Sequence, residues 1–288
     1  MTRPNWLNPL RRREPIGPLD YYRRLSMRLT LIGTLIFLYA PIVGLIAFSF
    51  NDSRRNIVWR GFTFKYYTKA WNNDELMLAF ANSLTIAVIS TLVSIVLAAL
   101  TAYLLWRFRF PLKGAYEGAM ALPIVIPEIC MGVAMMAFFT RIGWPQDLVW
   151  PFNLSAITIA HIAFSFPFAA IIIRARLESF NRELSESARD LGASEMQIFR
   201  DVVVPHMKPG LIAGALLSFT LSLDDFVITF FTSGPNTVTF PVKIYSMVRF
   251  SVTPEVNAAS TVLIGLTLLL TAFALRMQHR HNNMLPTG

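Results

Sequence analysis

Residues 82–106 read NSLTIAVISTLVSIVLAALTAYLLW, 25 consecutive positions without an acidic or basic side chain. At a rise of about 1.5 Å per residue, a helix of that length crosses the roughly 30 Å hydrocarbon layer of a bilayer. The run does not alternate as a barrel strand does. Inside lipid a helix satisfies its own backbone groups, so helix is the conformation expected here. Asn82 stands at its start, where an N-cap belongs. Five further runs are of spanning length: Leu29 to Phe50, Leu154 to Ile173 and Ala258 to Leu275 hold no charge, Gly118 to Thr140 holds only Glu128, and Gly210 to Phe231 holds only Asp224 and Asp225. The expected fold is an all-α integral membrane protein of six transmembrane helices.

Composition agrees. The 288 residues are 54% hydrophobic and only 15% charged, with a mean hydropathy of +0.49. Soluble domains carry about a quarter charged residues. The net charge of +9 would suit nucleic acid or anionic lipid, but the basic residues flank the apolar runs, which favours lipid and excludes nucleic acid as the partner. The single cysteine, Cys130, has no partner for an intrachain disulfide, and no His/Cys cluster suggests a metal. The first run lacks a small-residue cleavage site and reads as a retained helix, not a signal peptide. No Ser/His/Asp set and no GxxxxGK[ST] appears, so neither hydrolytic catalysis nor ATP binding at a P-loop is expected of this chain.

The runs divide the chain into a tail over residues 1–28, a six-helix domain over 29–276 and a second tail over 277–288. With the N-terminus inside, 18 of the 26 Lys and Arg residues fall on the cytoplasmic side. The positive-inside rule therefore places both termini in the cytoplasm. The outer segment 51–81 carries Trp59, Tyr66, Tyr67 and Trp71, an interfacial aromatic belt by its position.

The inner loop, about 178–208, is patterned. Glu183 to Leu191 reads as a short helix, and Gly192 stands where a helix C-terminal glycine belongs. Ser194 to Gln197 gives a capping box that opens a second short helix. Ile198, Phe199, Val202 and Val203 supply that helix with an apolar side, and Pro205 and Pro209 close it. Helix, glycine turn, helix on the cytoplasmic face is a shape suited to docking on another protein.

These residues resemble a known family. Glu186-Ser-Ala188, three residues, Gly192, nine residues and Val202-x-Val204-Pro205 match the loop motif of ABC importer membrane subunits, EAA-x3-G-x9-I-x-L-P, with mild departures at Ser187, Val202 and Val204. Phe219 to Asp225, Ser233-Gly-Pro235, Val252 to Asn257, Tyr39-Ala-Pro41, Phe48 to Asn51, Ala160-His161 and Asp190 to Ala193 resemble the spermidine/putrescine branch, most of all its second, shorter permease. The resemblance runs from about Leu29 to Leu275. It implies a type I importer transmembrane domain with a cytoplasmic coupling helix. It also implies a second permease, two ATPase subunits that hold ATP and magnesium, and a periplasmic substrate-binding protein. On this resemblance Glu186, Ala188, Gly192, Ser194 and Pro205 form the ATPase coupling element, and no cofactor binds the chain itself.

Three acidic groups lie within the apolar runs: Glu128, Asp224 and Asp225. Ionisable groups at membrane depth are costly and face a cavity or a partner. Ser218, Ser222, Asp225 and Thr229 share one helix face, while Asp224 sits about 100° away. Pro123 and Pro127 predict a kink beside Glu128. Asp225, Asp224, Glu128 and Ser222 thus form the expected path for a cationic amine, against the alternative that the carboxylates bond to neighbouring helices. His161 is expected as a packed hydrogen-bonding residue. Relatives of this branch handling other amines, amino acids or opine-like solutes leave the substrate open. An ion-coupled secondary transporter would need internal repeats that are absent, and a membrane assembly factor would not need the motif-spaced loop.

The topology has a direct check. In a Cys130→Ala background, Ser53→Cys should react with an impermeant thiol reagent on intact cells and Ser194→Cys should not; the reverse pattern would overturn the orientation.

Overall fold

A computed structural model describes residues 25–53, 58–145, 148–234, 236–250 and 253–282. The basic N-terminal tail expected over residues 1–28 lies mostly outside them, as do the last six residues. Among the described residues the chain is helical, with a single isolated bridge between Asn51 and Phe62. The helices in order are α1 (Leu25–Ser49), α2 (Lys65–Trp71), α3 (Asp74–Arg107), α4 (Lys113–Val125), α5 (Glu128–Arg141), α6 (Ser155–Glu178), α7 (Arg182–Asp190), α8 (Glu195–Ile198), α9 (Val204–Leu223), α10 (Val227–Thr232), α11 (Phe240–Phe250) and α12 (Pro254–Asn282).

Five segments are long and apolar enough to cross a bilayer: α1, α3, α6, α8 running into α9, and α12. The expected third span is instead a broken pair. Helices α4 and α5 meet at 107°, a far sharper break than a kink. Pro123 is accommodated inside α4, whereas Pro127, at the N-cap of α5, follows an extended Ile126. Proline disfavours the helical region for the residue before it, so the chain turns there. The fifth run is also interrupted, with α9 ending at Leu223 and α10 starting at Val227.

Helices α3, α6 and α9 form the core, with α1 resting on α12 at the side. Every fourth residue explains the contact. On α3, Ser90, Ser94, Ala98 and Ala102 are fully buried. On α9, Gly210, Gly214, Ser218 and Ser222 are buried. On α6, His161, Ser165, Ala169, Ile173 and Leu177 follow the same spacing and are buried too. Small residues one turn apart let helix backbones approach closely, which drives association where lipid supplies no hydrophobic force. A side chain built on Gly214 would lie 3.3 Å from both Ala169 Cβ and Ile95 Cδ1.

Two local readings change. Asn82 is not an N-cap, because α3 starts eight residues earlier with Asn73 as its cap, accepting from Leu76 N at 3.1 Å. Asn82 lies buried within α3, donating to Val238 O at 3.0 Å and accepting from Trp150 Nε1 at 3.1 Å. The outer aromatics also divide. Trp59 and Trp71 are exposed as a belt requires, but Tyr66 is buried with its hydroxyl donating to Ser53 O, and Tyr67 pairs with Ser49 Oγ at 2.7 Å.

Gly214→Val should cost about 1–3 kcal/mol by forcing α9 off α3 and α6. The melting temperature of the solubilised protein should fall, while Gly33→Val, with open space around it, should leave it unchanged. Equal melting of the two would contradict the close-packed core.

Candidate functional site

The loop between α6 and α9 folds largely as its residues dictate. Helix α7 is capped by the Asn181 side chain. At its end Gly192 N donates to Arg189 O and Ala193 N to Ala188 O, the paired bonds of a Schellman turn, with Gly192 at φ +85°. Only glycine adopts that conformation freely. Ser194 and Gln197 complete the capping box of α8. Arg189 reaches across the turn to Glu195.

Pro205 and Pro209 do not close the second helix. The chain passes from α8 through a π-helical stretch, Phe199–Val203, directly into α9, and Pro205 stands in its first turn, where a missing N–H costs little. The apolar side also points elsewhere than expected. Ile198 and Val203 are buried against Leu177, Phe180 and Met207 of the chain's own core. Leu184, Leu191 and Met196 are the exposed apolar groups, beside exposed Glu186, Ser194 and Pro205, with Ala188 half-buried.

Within the membrane the stripe Ser218, Ser222, Asp225 and Thr229 forms, but it faces inward. All four residues are buried. Asp225 accepts from Thr229 N at 2.8 Å, from Thr229 Oγ1 at 2.9 Å and from Ile228 N at 3.4 Å, so it caps the first turn of α10. His161 Nδ1 lies 2.7 Å from Ser222 Oγ, and Nε2 lies 2.9 Å from Thr229 Oγ1 and 3.3 Å from Asp225 Oδ2. Ser90 Oγ donates to Ser222 at 3.0 Å, and Ser94 pairs with Ser165 at 2.9 Å. Asp225 and Ser222 therefore belong to the wall between helices, not to the surface of a path. Small and polar side chains are those that fit where backbones meet, and Ser90, Ser94, His161, Ser165, Ser222 and Thr229 find their partners across the contact, whereas Ser218 Oγ is buried without one. His161 is the packed hydrogen-bonding residue expected of it.

Asp224 takes the opposite side. As the C-cap residue of α9 it is exposed, and it lines a groove of about 350 Å³ with Phe226, Tyr245 and Ser260. The Phe226 and Tyr245 ring centroids are 4.8 Å apart, and Phe230 closes on Phe226 at 5.5 Å. Glu128, exposed in the first turn of α5, is within electrostatic reach of Asp224. The break after Leu223 explains the split, since two adjacent carboxylates are sent to opposite sides, one as a cap and one into the groove. The aromatic lining was missed in the sequence because Tyr245 lies on α11, a helix outside the hydrophobic runs. Among the described residues no cluster of His, Cys, Asp and Glu could hold a metal ion.

Comparison with known proteins adds a family. Residues 90–283 match the family described as binding-protein-dependent transport system inner membrane component. The spermidine/putrescine transport system permease protein PotC of Escherichia coli K12 is 41% identical over 234 residues, covering 81% of this chain and 86% of that protein. The putrescine transport system permease protein PotI of the same strain is 37% identical, covering 80% and 82%. A chain of a bacterial ABC transporter that imports the acidic polysaccharide alginate superposes with a TM-score of 0.69 at 20% identity, over 91% of this chain and 96% of that one.

Proposed function

The chain belongs to the family of binding-protein-dependent transport system inner membrane components, and from that membership we propose that it passes a polyamine through the pore past Asp224. It is a permease subunit of an ABC importer and not itself an enzyme. Both termini are cytoplasmic in this reading. The subunit pairs with a second permease, receives substrate from a periplasmic binding protein and is driven by two ATPase subunits, which hold the ATP and magnesium. Glu186, Ala188, Gly192, Ser194 and Pro205 form the coupling element, and exposed Leu184, Leu191 and Met196 provide its apolar contact.

One observation carries the substrate reading: a carboxylate, Asp224, shares a groove with the faces of Phe226 and Tyr245. A protonated amine leaving water gives up hydration. A carboxylate offsets that loss, and an aromatic face within about 6 Å adds cation–π attraction of about 0.5–2 kcal/mol. The groove falls in the 300–1,000 Å³ range of small-molecule sites. Its openness to the surroundings suits a transport step, in which release must follow binding. Glu128 adds a second negative charge nearby, matching a cation with more than one ammonium.

Asp224→Asn should lower uptake of radiolabelled putrescine or spermidine, per assembled complex, by roughly tenfold, the effect of about 1.4 kcal/mol. Asp224→Glu should keep part of the activity. Full activity in the Asn variant would remove Asp224 from the path, and no polyamine uptake by the unaltered protein would overturn the substrate. At the other end, Gly192→Val places a β-branched residue at φ +85°. Insertion should be normal, while substrate-stimulated ATP hydrolysis by the complex should fall. Unchanged stimulation would count against the docking role of the turn.

A further inference from the structure

One imidazole spans the break in the fifth run. His161, on α6, holds Ser222 in the last turn of α9 through Nδ1 and Thr229 in the first turn of α10 through Nε2. The residues between them include Asp224, whose side chain lines the groove. We propose that His161 is a positioning residue for the transport site: as a rigid staple between the two half-helices, it fixes the direction in which Asp224 is presented. This rests on the reading of Asp224 as the amine site.

The hydrogen bonds on either side of the imidazole form a continuous row. Thr229 Oγ1 donates its one proton to Asp225 Oδ2, so it must accept from His161 Nε2–H. Ser90 Oγ lies 3.0 Å from Ser222 Oγ and 3.3 Å from Ala87 O, and Ser222 Oγ lies 2.7 Å from His161 Nδ1. His161 is 2% exposed, and Ser90, Ser222, His161, Thr229 and Asp225 each have a partner in this row. The chain of bonds crosses α3, α6 and both sides of the break. An imidazole holds its two nitrogens at a fixed separation, so the span from Ser222 to Thr229 is set by covalent geometry. A pair of ordinary helix contacts would leave the break free to open or swivel, because α9 and α10 share no continuous backbone ladder there.

The test uses the solubilised complex with all its partner subunits, carrying Cys130→Ala and Val248→Cys. Val248 lines the groove and is 41% exposed. Putrescine should slow thiol labelling at that position, and Asp224→Asn should weaken the protection. His161→Phe keeps a ring but removes both bonds. It should raise the putrescine concentration for half-protection by roughly tenfold, as expected for losing one or two hydrogen bonds, without changing labelling in the absence of putrescine. His161→Gln, whose amide can accept from Ser222 and donate to Thr229, should restore part of the affinity. Ser222→Ala and Thr229→Val, each cutting one arm, should give smaller shifts. No protection in the starting protein would defeat the amine-site reading itself. Protection lost in Asp224→Asn but kept in His161→Phe would overturn the positioning role alone. So would altered labelling without putrescine, or failure of His161→Phe and both single-arm variants to assemble, since the staple would then serve folding only.

Discussion

The close approach of α3, α6 and α9 is the constraint on which the other features depend. In lipid there is no gain from hiding apolar side chains from one another, so helix association must come from packing and interhelical hydrogen bonds. The buried seam of α3 and α9 is accordingly built from Gly, Ala and Ser at every fourth position, while Leu92, Val96 and Leu100 of α3 point outward. Where the seam continues past Ser222, hydroxyls and a carboxylate replace methyl groups, and the hydrogen-bonded network around His161 begins. The same seam continues to Ile173, Leu177 and Met207, against which the loop that carries Ile198 and Val203 is seated.

Much of this was legible in the sequence. Apolar run length located the membrane segments, and Ser194, Gln197 and Gly192 marked the loop because cap and turn chemistry is local. What escaped was set by tertiary contact. Hydropathy measures apolarity and not continuity, so the break after Leu223 was hidden inside a run that looks uniform, and the prolines announced only a kink where the chain turns by 107°. Asn82 resembled a cap because it is a polar residue that opens a long apolar run, but the six residues before it, Leu76 to Ala81, are apolar too and extend the helix back to its true cap, Asn73. The stripe through Ser222 and Asp225 was correctly seen as one face. Its destination was not, since a polar face inside lipid can meet either a path or another helix, and only the position of His161 distinguishes them.

Adjacent carboxylates with opposite surroundings show how little chain is needed to separate two roles. Asp225 is surrounded by donors from α6 and α10, and removing its charge would unsettle the cap of α10. Asp224, one residue away, makes no comparable set of bonds and lies among aromatic rings. The two carboxylates thus differ in what holds them: Asp225 is fixed by donors within the helix bundle, and Asp224 is left open to the groove.

The passage from α8 through the π-helical stretch into α9 is helical throughout, and the resulting segment, Glu195–Leu223, has 29 residues. At about 1.5 Å per residue it is roughly 40 Å long, and tilting such a segment by about 10° about one end moves the other by roughly 7 Å. A lever of that length joins the turn at Gly192 to the residue that faces the groove. A small tilt begun at the turn would thus reach Asp224 as a shift as large as a side chain.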